Sequence, residues 1–242
     1  MSFSEIRACG FDTETTSADP LTARIVTAAL VFTGGGKPDQ TFTWLVNPGI
    51  PSEPDAIEAH GISNEKAAAE GQDPKVALED LADKLRAALA YGMPLVAFNA
   101  AFDWTVLDRD LARNGLSSMT ARIGGHPVRL LDPFVIDKTV DKYRKGKRKL
   151  KPTCEHYGVE LKDWHTAEAD ALAAVLVMGQ IAERYPRLSE LSPVELFKAQ
   201  QGWAADQAAG LQEYFRSAKA GEKQDPTVVI DGSWPLRSGG AS

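Results

Sequence analysis

Two acids separated by one residue, Asp12 and Glu14 in GFDTETT (residues 10–16), follow directly on an apolar run. In a strand, residues i and i+2 point to the same side, so both carboxylates reach one small volume. Like charges held that close repel, and burying them is costly. A divalent cation that prefers oxygen ligands, Mg2+ or Mn2+, would relieve the repulsion. A solvated strand end, with Asp12 opening a turn, would relieve it too.

Three further residues could join that chemistry. Asp103 in FNAAFDW (98–104) falls in the first turn of an expected helix, just after a short apolar strand. The helix dipole alone accounts for an acid there. The same strand end could also lie beside the first, with Asn99 and Phe102 on the shared rim offering an amide and a stacking face. In WHTAEAD (164–170), His165 lies just outside another helix and Asp170 a turn inside it, ahead of ALAAVLV. A charge on the edge of so apolar a helix needs a partner. His165 titrates near neutrality. It reads either as a surface or capping residue or, near a cation-activated water, as a general base.

These residues need a scaffold. IRACGF (6–11), RIVTAALVF (24–32) and TFTWLVNP (41–48) read as three strands joined by short turns, an antiparallel meander. A helix is expected over 73–92, with Asp73 as N-cap, Pro74 at the first position and Val76, Leu78, Leu81, Leu85 and Leu89 on one apolar face. MPLVAF (93–98) is a buried strand, 100–115 a helix, VRLLD (128–132) a fifth strand and 152–158 a short helix. The segment 166–185 is a strong helix capped by Thr166. Meander, then helix–strand–helix–strand–helix, predicts a mixed five-stranded α/β sheet flanked by helices. Such sheets place ligands at the carboxyl ends of their strands.

The style changes after Pro186. Ser192, Pro193 and Glu195 resemble a capping box, and Leu196, Trp203, Leu211, Tyr214 and Phe215 recur at helical spacing. We read residues 1–186 as the main domain. Residues 187–242 form a C-terminal extension, with a long amphipathic helix packed on that domain or on a partner and a tail holding one possible strand.

In a chain of 242 residues with 43% hydrophobic content, a sizeable core is available. The sequence shows neither a signal segment nor a membrane-length apolar run, so no membrane role is expected. The two cysteines, Cys9 and Cys154, make no disulfide framework, which suits a reducing, cytoplasmic setting. Net charge is −6, unlike a protein that coats nucleic acid. YRKGKRKLK (143–151) nevertheless packs six basic residues into the eight positions 144–151, either a solvated loop or a local phosphate contact.

Asp12-x-Glu14, Asp103 in NAAFD, and His165 followed five residues later by Asp170 together resemble the three sequence blocks of the DEDDh (DnaQ-like) 3′–5′ exonucleases, a family that includes the proofreading epsilon subunit of bacterial DNA polymerase III. AHGIS (59–63) resembles a segment the family carries between its first two blocks. The resemblance covers roughly residues 5–185 and fades beyond. It implies a ribonuclease H-like sheet and hydrolysis of a phosphodiester at a free 3′ end, releasing nucleoside 5′-monophosphates. It implies two divalent cations, Mg2+ or Mn2+, about 3.5–4 Å apart. Asp12 would bridge them, Glu14 and Asp170 would hold the one carrying the attacking water, and Asp103 would support the other. His165 would accept the water's proton. Thr13 and Thr15 would lie against the terminal nucleotide, and His60, Ile62 and Phe102 would pack on the last bases. The expected partner is a nucleic-acid 3′ end, DNA favoured over RNA, with a DNA polymerase or another replication or repair protein as a possible second partner. RNA trimming, or an inactive module that binds strands or a partner, are the alternatives.

Overall fold

The computed structural model describes residues 3–160 and 166–238. Strand β1 (Ala8–Thr15) pairs antiparallel with β2 (Ile25–Thr33), and β2 pairs antiparallel with β3 (Gln40–Leu45). After α1 (Pro54–His60), α2 (Asn64–Glu70) and α3 (Pro74–Ala90), the two-residue strand β4 (Leu95–Val96) joins the other side of β1 in parallel. Next come α4 (Ala100–Arg113), α5 (Met119–Ile123) and β5 (Leu130–Leu131), which lies parallel to β4. The sheet order is β3-β2-β1-β4-β5, the mixed five-stranded sheet expected. The chain continues through α6 (Pro133–Val140), α7 (Leu150–Tyr157), α8 (Ala167–Arg184) and α9 (Pro193–Arg216).

Both faces of the sheet are covered. Cys9 and Phe11 of β1 pack with Leu78, Leu81 and Leu85 of α3 and Leu107 and Leu111 of α4. Ala8 and Val96 pack on the other side with Val177, Met178 and Ile181 of α8. Asp73 caps α3 as expected, accepting the N–H groups of Lys75 and Val76. Val76, however, is 64% exposed, and Ala77, Ala82 and Ala88 complete the buried face instead. Strand β1 also runs further than the apolar residues alone suggest, so Asp12 and Glu14 lie within it.

The long helix α9 packs along α6 and the open edge of β5. There the side-chain amide of Gln200, fully buried, accepts the N–H of Asp132 at 2.6 Å and donates to the carbonyl of Leu130 at 3.0 Å. One side chain thus satisfies the edge as a further strand would. The expected capping box of Ser192 and Glu195 starts this helix. Leu196 is buried, whereas Leu211 and Tyr214 stay exposed. The tail forms no strand among the described residues. It returns across α9 to bury Trp234 against Phe197, and the indole N–H reaches Asp132 at 3.3 Å.

Candidate active site

The alternation of β1 puts Gly10, Asp12 and Glu14 on the face covered by α8. Gly10 makes the close approach possible, because a Cβ there would sit 2.2 Å from the carbonyl oxygen of Ala171. Helix α8 therefore rests backbone against backbone on the strand, and Asp170 comes down beside the strand acids. Carboxylate oxygens of Asp12, Glu14 and Asp170 all lie within 4.8 Å of one another.

Asp103 arrives from the opposite face. Thr13, between the two strand acids, donates its backbone N–H at 2.9 Å and its hydroxyl at 2.7 Å to one oxygen of Asp103. The helix bearing Asp103 begins at Asn99, whose φ of 64° turns the chain sharply out of β4. Asp132 holds that turn, accepting the N–H groups of Asn99 at 2.8 Å and Ala100 at 2.9 Å.

The acids suffer one another's charge. Burial, followed by the charges of Asp103, Glu14 and Asp170, pushes the Asp12 carboxyl well above the usual range. Burial and the neighbouring Asp170 and Asp103 raise Glu14 to about 7. Asp103 is also raised to about 7, by burial first and against the opposing pull of the Thr13 hydrogen bonds. Carboxylates crowded like this, with an edge still open to solvent, fit a divalent cation with oxygen ligands. Asp12, Glu14 and Asp170 are the residues placed to hold it, with Asp103 alongside.

His165 lies outside the described residues. His60 and Ile62 line one cleft with Glu14, Lys66 and the start of α8 at Thr166 to Glu168, with a volume of about 260 Å3. The His60 Nδ1 accepts the N–H of Ile62, and burial lowers the pKa of its ring. Thr15 is buried and its hydroxyl donates to the carbonyl of Ser17. Asn99 and Phe102, at the start of α4, are half-buried. Sequence reasoning overlooked Asp132, although Asp132-Pro133 repeats the Asp73-Pro74 cap that it recognised. It also overlooked buried Asp137, which accepts hydrogen bonds from Arg144, Arg148 and Tyr157. Two of the six basic residues in the 144–151 loop are thus bound inward.

A mixed sheet carrying converging carboxylates at the ends of its first strand and of two helices defines a class of cation-dependent phosphodiester hydrolases. The sequence model of the exonuclease family (RNase T type) matches residues 9–178, and this chain belongs to that family, in the 3′–5′ class its acidic blocks resemble. No curated protein matches the chain by sequence. Among solved structures, E. coli exonuclease I in complex with a dT13 oligonucleotide is 19% identical, with a TM-score of 0.63 over 76% of this chain and 43% of that one. Exonuclease I from Methylocaldum szegediense is 18% identical, with a TM-score of 0.64 over 86% of this chain and 46% of that one. These likenesses establish the ribonuclease H-like fold. The chain spans under half the length of either protein.

Proposed function

We propose that this protein hydrolyses phosphodiester bonds at the 3′ end of DNA, single-stranded or frayed, releasing nucleoside 5′-monophosphates. The observation that carries the reading is the convergence of Asp12, Glu14 and Asp170 with Asp103 pinned beside them. The solved exonuclease I structures with dT13 and dA16 support a single-stranded substrate. Two divalent cations, Mg2+ or Mn2+, when bound, would neutralise phosphate charge and lower the pKa of water.

The chain's own residues supply the rest. Asp12, Glu14 and Asp170 hold the cations, and Thr13 keeps Asp103 oriented towards them. His165 takes the proton from the attacking water. The cleft of His60 and Ile62 beside Glu14 packs against the terminal bases, and Phe102 and Asn99 add separate contacts to the DNA strand. The main chain around Thr15 lies against the terminal nucleotide. Such an activity suits proofreading or repair, alone or beside a polymerase. No helix among the described residues is long and apolar enough to cross a membrane.

The test is digestion of matched 5′-labelled DNA and RNA oligonucleotides, single- and double-stranded, with Mg2+ or Mn2+. Wild-type protein should shorten DNA from the 3′ end. Asp12→Ala and Asp170→Ala should nearly abolish this while remaining folded, and His165→Ala should slow it by roughly 10²–10⁴. Undiminished hydrolysis by Asp12→Ala, with contaminating nuclease excluded, would sink the proposal. Preferential RNA digestion would reassign the substrate.

A further inference from the structure

We infer that the groove between α6 and α9 carries the upstream part of a single-stranded polynucleotide whose 3′ end lies at the acids. This rests on the nuclease reading above and extends it to a second binding region. The groove begins at Asn99, four residues before Asp103, where Phe134 and Lys138 form one wall and α9 and Trp234 the other, enclosing about 310 Å3. It continues past Lys138 and Gln207 into a wider part of about 540 Å3, lined by Lys142, Arg148, Trp203 and Tyr214. The two parts share Lys138, Gln207 and Leu211.

A single strand needs cations for its phosphates and ring faces for its bases. The groove offers both. Lys142 is exposed, and beside it Tyr143 is 87% exposed and Tyr214 45%. Arg144 and Arg148 share the one carboxylate of Asp137, and of the two Arg148 lines the groove. Asp206, Asp231 and Asp132 also line the groove, as does Arg237; Asp132 is taken up by the N–H groups of Asn99, Ala100 and Phe134. Asp231 is occupied by the N–H groups of Ser233 and Ser238. In a chain of net charge −6, a groove that starts one helical turn from Asp103 and becomes basic and aromatic in its wider part matches a polyanion leading away from that site.

The experiment measures anisotropy of a 5′-labelled oligodeoxythymidylate of about fifteen nucleotides in EDTA, across a salt series. The double variant Lys142→Glu, Tyr214→Ala changes only exposed side chains. It should bind at least about tenfold more weakly, with a log–log salt slope shallower by about 0.7 per lost phosphate contact. In Mg2+, its kcat/KM ratio for strands of about fifteen over about three nucleotides should fall relative to wild type. Unchanged affinity and slope, or binding of polyglutamate in place of the oligonucleotide, would overturn the inference. Failure of wild-type protein to hydrolyse either strand would instead overturn the nuclease reading, and the binding series would still decide the groove.

Discussion

Thr13 donates its backbone N–H and its hydroxyl to the same oxygen of Asp103. The residue between the two strand acids thereby fixes the helix acid, and both of its bonds fall on one oxygen. This polar pair adds to the apolar contact of Cys9 and Phe11 with Leu107 and Leu111. Hydrogen bonds to a charged carboxylate are worth about 1.5–3 kcal/mol. Thr13→Val keeps the shape and the backbone donor but removes the hydroxyl. It should lower kcat roughly tenfold with little change in KM, and circular dichroism should show an intact fold.

Gly10 sets the distance between β1 and α8. Its missing Cβ is replaced by the carbonyl of Ala171, so Gly10→Ala forces backbone, rather than a flexible side chain, to move. Overpacking of this kind costs about 1–3 kcal/mol. The helix would carry Asp170 away from Asp12 and Glu14. We expect a lower Tm together with a loss of activity larger than the stability change accounts for, read from kinetics well below the Tm.

Crowded carboxylates make stability depend on pH and cations. Glu14 and Asp103 have folded pKa values raised to about 7 in the cation-free protein, against about 4 when unfolded. Between those values the folded state binds more protons, so these groups lower stability as pH rises from about 4 to about 7. In EDTA, this contribution should lower the Tm from pH 5 to pH 8. Mg2+ or Mn2+ should raise the Tm more at pH 8 than at pH 5, because protons compete for the same oxygens. Asp12→Asn should raise the cation-free Tm at pH 8 and shrink the response to cations. Scanning calorimetry across these conditions measures each effect, and a cation response independent of pH would contradict the assignment.

Asp137 holds the basic loop from inside. Its side chain is 1% exposed and pairs with Arg144 at 2.8 Å and Arg148 at 2.6 Å. Burial alone would raise its pKa, yet the hydrogen bonds from Arg144, Tyr157 and Arg148 hold it below the usual range. Asp137→Asn leaves two guanidinium groups without their countercharge. Breaking a buried pair from one side costs about 3–5 kcal/mol, so denaturant titration should show a loss of that size. Charge reversal at exposed Lys145 should leave stability nearly unchanged.

The sequence by itself determined the chemistry. Acid spacing in a strand decides which side chains share a face, so Asp12 and Glu14 were legible as a pair from alternation alone. Asp103 and Asp170 were legible as first-turn acids of helices whose caps and apolar periods are local signals. The long helices α3, α8 and α9 were equally legible, because many turns repeat one pattern. Short helices such as α1, α2, α5 and α6 were not, since one or two turns establish no period. Val76 and Leu211 fit the apolar spacing yet lie exposed, because periodicity names a stripe and not its edges. Only the tertiary structure decided that Thr13 spends its hydroxyl on Asp103, that Gly10 admits α8, and that Arg144 and Arg148 turn inward to Asp137. It also decided that Gln200 and Trp234 of the C-terminal segment converge on Asp132, next to the helix that bears Asp103. Each of these joins residues 7 to 161 positions apart. Local propensity carries no information about such meetings, which are set by how the packed elements approach one another and by the cost of leaving a buried polar group without a partner.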